Sequence, residues 1–119
     1  MAKVLVVDDA AFMRLRTAKV LTEAGHTVVE AENGRRAVDL YAVERPDVVL
    51  MDITMPEMDG LAALAEIKRV DPSAKVAMLT AMGQQTIVLQ AIKAGARDFV
   101  VKPFEPERVL GAVEKLLAS

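Results

Sequence analysis

With 119 residues, 53% of them hydrophobic, and a mean hydropathy of +0.28, the chain has the size and apolar content of one folded domain, 1–119, and not of a disordered segment. The absence of cysteine and the single histidine, His26, exclude disulfides, thiolate metal sites, thiol catalysis and a polyhistidine centre. A net charge of −2 without a basic run, with three Phe, one Tyr and no Trp, offers nucleic acid neither a phosphate-tracking surface nor a base-stacking platform.

Apolar runs of about five residues fall far short of the ~20 needed to cross a bilayer. Met1 leads directly into a strand without a charged-then-apolar leader, so a cytoplasmic location away from the membrane is expected.

Lys3-Val4-Leu5-Val6-Val7 predicts a buried strand that runs into Asp8-Asp9. Met13, Thr17, Val20, Leu21 and Ala24 then fall on one helical face, and Gly25 stops that helix. Thr27 to Ala31 reads as a second strand. Asn33-Gly34 turns the chain into a helix that faces inward with Ala37, Val38 and Tyr41 and ends at Pro46. A third strand, Asp47 to Met51, runs into Asp52 and a loop containing Pro56 and Gly60.

The next helix presents Leu61, Leu64 and Ile67 and stops before Asp71-Pro72. Lys75 to Leu79 forms a fourth strand running into Thr80, and Ala81-Met82-Gly83 leads into a helix from Gln84 to Ala94 capped by Gly95. Asp98 to Val101 is a fifth strand meeting Lys102-Pro103, and a last helix carries Val109, Leu110, Val113, Leu116 and Leu117.

Strand and helix alternate five times. Short apolar strands without in/out alternation imply burial on both faces, hence a parallel sheet covered by helices in an α/β three-layer sandwich. Right-handed crossovers favour a doubly wound (βα)5, flavodoxin-like sheet of order 2-1-3-4-5, whose switch point lies between the first and third strands. Asp8-Asp9 and Asp52 end those two strands. All the polar strand ends lie along one sheet edge, which would bring three carboxylates, the Thr80 hydroxyl and the Lys102 ammonium together.

Three close carboxylates repel, each pair at a cost of about 1–4 kcal/mol depending on the effective dielectric. A hard divalent cation removes that cost, and magnesium, which takes one or two carboxylates and keeps several waters, leaves room for a phosphoryl oxygen. Lys102 adds a compact positive charge and Thr80 a donor, a cradle for a transferred phosphoryl group. Asp52, alone on the middle strand, is the natural carboxylate nucleophile.

Asp8-Asp9, Asp52, Thr80-Ala81 and Lys102-Pro103 at these spacings resemble the receiver domain of two-component response regulators. Met51-Asp52-Ile53-Thr54-Met55-Pro56 and Val101-Lys102-Pro103-Phe104 strengthen the resemblance, which covers the whole chain. The opening Ala10-Ala11-Phe12-Met13-Arg14 of the first helix resembles that of chemotaxis regulators within the family. The resemblance implies that Asp52 is the phosphoacceptor. Asp9 and Asp52 would bind Mg²⁺ directly, Asp8 through water and Thr54 through its backbone carbonyl. Lys102 would contact the phosphoryl group and Thr80 would swing toward it.

Phe99 stands where the family has a rotameric aromatic, commonly Tyr, that moves with Thr80. The Lys102–Pro103 bond would be cis. Thr54 and Met82, beside the phosphoryl site, carry no amide or carboxylate to orient an attacking water, so self-dephosphorylation should be slow and a separate phosphatase should set the signal lifetime.

A receiver of this kind is a monomeric switch, not an enzyme acting on a separate substrate; it catalyses only its own Mg²⁺-dependent phosphorylation and dephosphorylation. It takes its phosphoryl group from a chemotaxis-type histidine kinase, and the expected output partner is the flagellar motor switch protein. Two alternatives stay open: a phosphorelay carrier that passes the group to another histidine, or the receiver part of a DNA-binding regulator.

Taken singly, the residues have ordinary readings: Asp8-Asp9 as a helix N-cap pair, Asp52 and Thr80 as turn or capping residues, Lys102 as a solvated lysine. His26, Asn33-Gly34 and Asp59-Gly60 read as surface turns. A haloacid-dehalogenase-type phosphatase would need a second acid where Thr54 stands, and a flavodoxin would need an aromatic-lined flavin loop.

Overall fold

The computed structural model describes residues 2–53, 55, 58–81 and 84–119. Five strands, β1 (Lys3–Val7), β2 (Thr27–Ala31), β3 (Val48–Asp52), β4 (Val76–Ala81) and β5 (Asp98–Lys102), alternate with five helices, α1 (Ala11–Glu23), α2 (Gly34–Glu44), α3 (Gly60–Val70), α4 (Gln85–Lys93) and α5 (Pro106–Ala118). All strand pairs are parallel, and the order is β2-β1-β3-β4-β5, the doubly wound topology that the alternation of elements predicts.

The sheet separates two cores by residue parity, because successive side chains point to opposite faces. Leu5, Val7, Val49, Met51, Val76 and Met78 face α2, α3 and α4, where Leu64, Ile67 and Ala91 meet them. Val4, Val6, Val48, Leu50, Ala77 and Leu79 face α1 and α5, where Leu21, Val109, Val113 and Leu116 close the second layer. Full burial of a side chain such as Leu21 or Leu116 contributes roughly 1.5–3 kcal/mol. The central strands β1, β3 and β4 are buried almost throughout, whereas the edge strands β2 and β5 are buried at one residue each.

Several boundaries and faces differ from the sequence expectation. Strand β3 starts at Val48 and includes Asp52, β4 runs from Val76 to Ala81 and so takes in Thr80, and β5 includes Lys102. These polar residues stay in the ladder because register pairing continues through them, Asp52 opposite Leu79 and Ala81 opposite Lys102. Helix α4 begins at Gln85 and ends at Lys93. On α1 the buried residues are Thr17, Ala18 and Leu21, while Ala24 is exposed beyond the helix end, and Leu117 of α5 is also exposed. Asn33 and Asp59 are more than turn residues: their side chains cap α2 and α3 by accepting from the backbone N–H groups of Arg36 (2.8 Å) and Ala62 (2.9 Å).

Tyr41 of α2 is buried and donates its hydroxyl to Asp71 Oδ2 at 2.7 Å, tying α2 to the end of α3. Burial, and then the Asp71 bond, push the phenol above its usual range, and the same bond leads the causes that hold Asp71 below the usual carboxylate range. Tyr41→Phe is expected to cost about 1 kcal/mol by urea denaturation at pH 7. A depressed folded-state carboxylate contributes stability that is present above its unfolded pKa and lost as pH falls through the folded one. The deficit of the variant should therefore shrink as pH drops below about 4.

Candidate functional site

The C-terminal ends of β1 and β3 are neighbours at the point where the strand order reverses, and both end in acids. The carboxylate oxygens of Asp8, Asp9 and Asp52 all lie within 4.8 Å of one another, a group that could hold a metal ion. Asp8 is 1% exposed and Asp52 8%, while Asp9 faces solvent.

Lys102, carried in by the end of β5, places Nζ 3.1 Å from Asp8 Oδ2 and 3.3 Å from Asp52 Oδ1. Among the described residues Lys102 thus pairs with two of the three clustered acids, and the excess of negative charge favours a cation. Burial pushes the Asp52 carboxyl up to about 6; Lys102 opposes that shift, and Asp8 and Asp9 add to it.

Backbone features position these side chains. Asp8 Oδ1 accepts from the N–H of Ala10 at 2.9 Å, and Arg14 donates from Nη1 to the Asp8 carbonyl at 2.8 Å, so α1 starts against the acid pair. The N-cap of α1 is Ala10, without a side-chain cap bond, so neither aspartate serves as its N-cap. Gly60, the first residue of α3, lies so close to β3 that a Cβ there would stand 2.2 Å from the Asp52 carbonyl oxygen. The Lys102–Pro103 peptide is cis.

Thr80 departs from the expected convergence. Its hydroxyl donates to Gln84 Oε1 at 2.8 Å and approaches the Ala81 carbonyl at 3.2 Å. No hydrogen bond from it to the three acids is found among the described residues. Thr80, Gln84, Val88, Leu89, Phe99 and Val101 line an apolar cavity of about 550 Å³ between β4, α4 and β5. Phe99 is 37% exposed, outside both cores.

Sequence reasoning gave no site role to Gln84 or Arg14, whose bonds depend on how helix and strand ends meet. Thr54 and Met82, and with them the carbonyl ligand and the water-orienting positions, lie outside the described residues.

A doubly wound parallel sheet with an acid triad at its switch point and a lysine from the last strand defines the class of phosphoacceptor signalling domains. The chain belongs to the response regulator receiver family, whose receiver-domain model matches residues 4–114.

It is similar to the chemotaxis protein CheY of Thermotoga maritima, 56% identical over 96% of each chain. The chemotaxis protein CheY of Listeria monocytogenes is 58% identical, with 97% of this chain and 98% of the relative covered. Among solved structures, the Vibrio cholerae chemotaxis protein CheY4 superposes with a TM-score of 0.93 at 32% identity, covering 98% of this chain and 99% of that one. Membership makes the chain a signalling switch, not an enzyme turning over a separate substrate. No helix among the described residues is long and apolar enough to cross a membrane.

Proposed function

We propose that the chain is a chemotaxis response regulator, one receiver domain over 1–119, monomeric and cytoplasmic, phosphorylated on Asp52 by a histidine kinase. The observation that carries this reading is the acid triad within 4.8 Å with Lys102 bridging Asp8 and Asp52. An Asp52 carboxylate oxygen forms the new O–P bond as the donor phosphohistidine's P–N bond breaks, its electron pair leaving on the imidazole. With its carboxyl at about 6, Asp52 is ionised and nucleophilic at neutral pH.

The acid cluster suits Mg²⁺, which Asp9 and Asp52 would hold directly, Asp8 through water and Thr54 through its carbonyl. When bound, Mg²⁺ neutralises the carboxylates and draws charge from the phosphoryl oxygens. The Lys102 ammonium, already 3.3 Å from Asp52 Oδ1, supplies the second positive group beside the transferred phosphoryl. Thr80 then turns to donate to a phosphoryl oxygen, and Phe99 responds to the space it leaves.

The likeness to chemotaxis proteins supports the flagellar motor switch as output partner, a chemotaxis-type kinase as donor and a separate phosphatase as terminator. The test is the affinity for an N-terminal peptide of a flagellar switch protein, with Mg²⁺, before and after beryllofluoride is added. Tightening of about tenfold or more, equal to about 1.4 kcal/mol of coupling, is expected. No tightening in protein shown to have bound beryllofluoride would keep the receiver chemistry and turn the output to a phosphorelay or to another partner.

A further inference from the structure

Gln84 stands immediately before α4 and makes no side-chain cap bond to that helix. Its carboxamide reaches back to the end of β4, where Oε1 accepts from Thr80 Oγ1 at 2.8 Å and from the Ala81 N–H at 2.9 Å. A backbone N–H can only donate, so the atom facing Ala81 is the carboxamide oxygen and the Thr80 hydroxyl is its second donor. Thr80 is 2% exposed, so bulk water offers its hydroxyl no ready partner, and the Ala81 carbonyl at 3.2 Å is the more distant of the two acceptors within its reach.

A hydroxyl carries one proton and can give it to Gln84 or to a phosphoryl oxygen, never to both. In the structure the hydroxyl is on Gln84, which lines the apolar cavity, and among the described residues it makes no hydrogen bond to Asp52 of the neighbouring strand, where the phosphoryl group would be carried. We propose that Gln84 is a positioning residue, a latch that holds the Thr80 hydroxyl away from the phosphoryl site and thereby sets the resting bias of the switch. This rests on the receiver reading and names the group against which the phosphoryl oxygen must compete. Because the same oxygen also holds Ala81 N–H at the start of the β4–α4 connection, release of Thr80 weakens the tie between β4 and α4.

A ligand that binds the released state has its apparent affinity reduced by the fraction of molecules still latched. Gln84→Met keeps the length of the side chain and removes the strong acceptor. Calorimetric titration with beryllofluoride in excess Mg²⁺ should show about three- to tenfold tighter binding to Gln84→Met than to the unsubstituted protein. In a Thr80→Ala background, where no hydroxyl remains to be held, the same substitution should change the affinity by less than about twofold, a result that a general loosening of α4 would not give.

Gln84→Ala serves as a second variant, and far-UV circular dichroism verifies that each is folded. Unchanged or weaker binding in both Gln84 variants, or equal tightening with and without the Thr80 hydroxyl, would overturn the latch alone. Failure of the unsubstituted protein to bind beryllofluoride would overturn the receiver chemistry itself, and the latch with it.

Discussion

Asp52→Asn is expected to abolish phosphorylation and, in metal-free buffer at pH 7, to melt at a higher temperature than the unsubstituted protein. The loss follows because an amide has no anionic oxygen with which to attack phosphorus. The gain follows from the cost of holding an ionised carboxylate in a recess 8% exposed, beside Asp8 and Asp9. Burial raises the Asp52 carboxyl to about 6 from an ordinary 3.8, so the folded state binds that proton more tightly than the unfolded chain does.

Stability tied to a raised carboxyl is present at low pH, declines as pH rises from about 4 to about 6, and stays low above that. The variant escapes this decline. Its advantage should be near zero below pH 4, grow through pH 4–6 and level off at about 1–3 kcal/mol. That corresponds to several degrees in melting temperature for a chain of this length. Adding Mg²⁺ should raise the unsubstituted protein more than the variant and narrow the gap. Thermal melts across pH, with EDTA and with Mg²⁺, measure all three effects; a variant less stable than the parent in EDTA at pH 7 would show that the acid cluster is not strained.

Gly60→Ala is the second large effect, and its cause is steric. The added Cβ would meet the Asp52 carbonyl oxygen at 2.2 Å and Ile53 Cα at 2.8 Å, both backbone atoms of the segment that carries the central acid. Neither can turn aside as a side chain would, so α3 must back away or the end of β3 must move. Overpacking of this kind costs about 3 kcal/mol, and a shift at Asp52 should also weaken Mg²⁺ binding.

Gly111→Ala makes the same chemical change in the exposed middle of α5, where nothing lies within 4 Å of the new atom. It should stabilise by about 0.5–1 kcal/mol through helix propensity and reduced chain entropy. Urea denaturation of the two variants side by side, with Mg²⁺ titration of each, tests the assignment; similar stabilities would remove the close approach at Gly60 as the reason.

Strand positions were legible to within two residues because runs such as Val4–Val7 and Val48–Met51 have no place outside a two-faced core. Boundaries slipped at Asp52, Thr80 and Lys102, where polarity suggests an end but the parallel ladder continues. The buried face of α1 also shifted: Ala18 and not Ala24 lies against the sheet. A small side chain gives little periodic signal, and where the helix docks decides which alanine is covered.

The acids and the lysine could be picked out from one-dimensional order, since each stands where an apolar strand stops. That Lys102 meets Asp8 across 94 positions of sequence needs the whole sheet to be assembled. The side to which Thr80 turns was not legible at all. It depends on a carboxamide four residues later that folds back across a strand end, a contact set by rotamers and helix placement with no periodicity to betray it.

The sequence by itself determined the alternation of elements, the parallel sheet and the chemical identity of the site, because burial on two faces and polar strand ends are written in residue order. Only the tertiary structure decided the distances that give the acids their charge deficit, the contact that forbids a side chain at Gly60, and the bond that holds Thr80 on Gln84. Those depend on the relative placement of elements far apart in the chain, where a shift of an ångström separates a hydrogen bond from none.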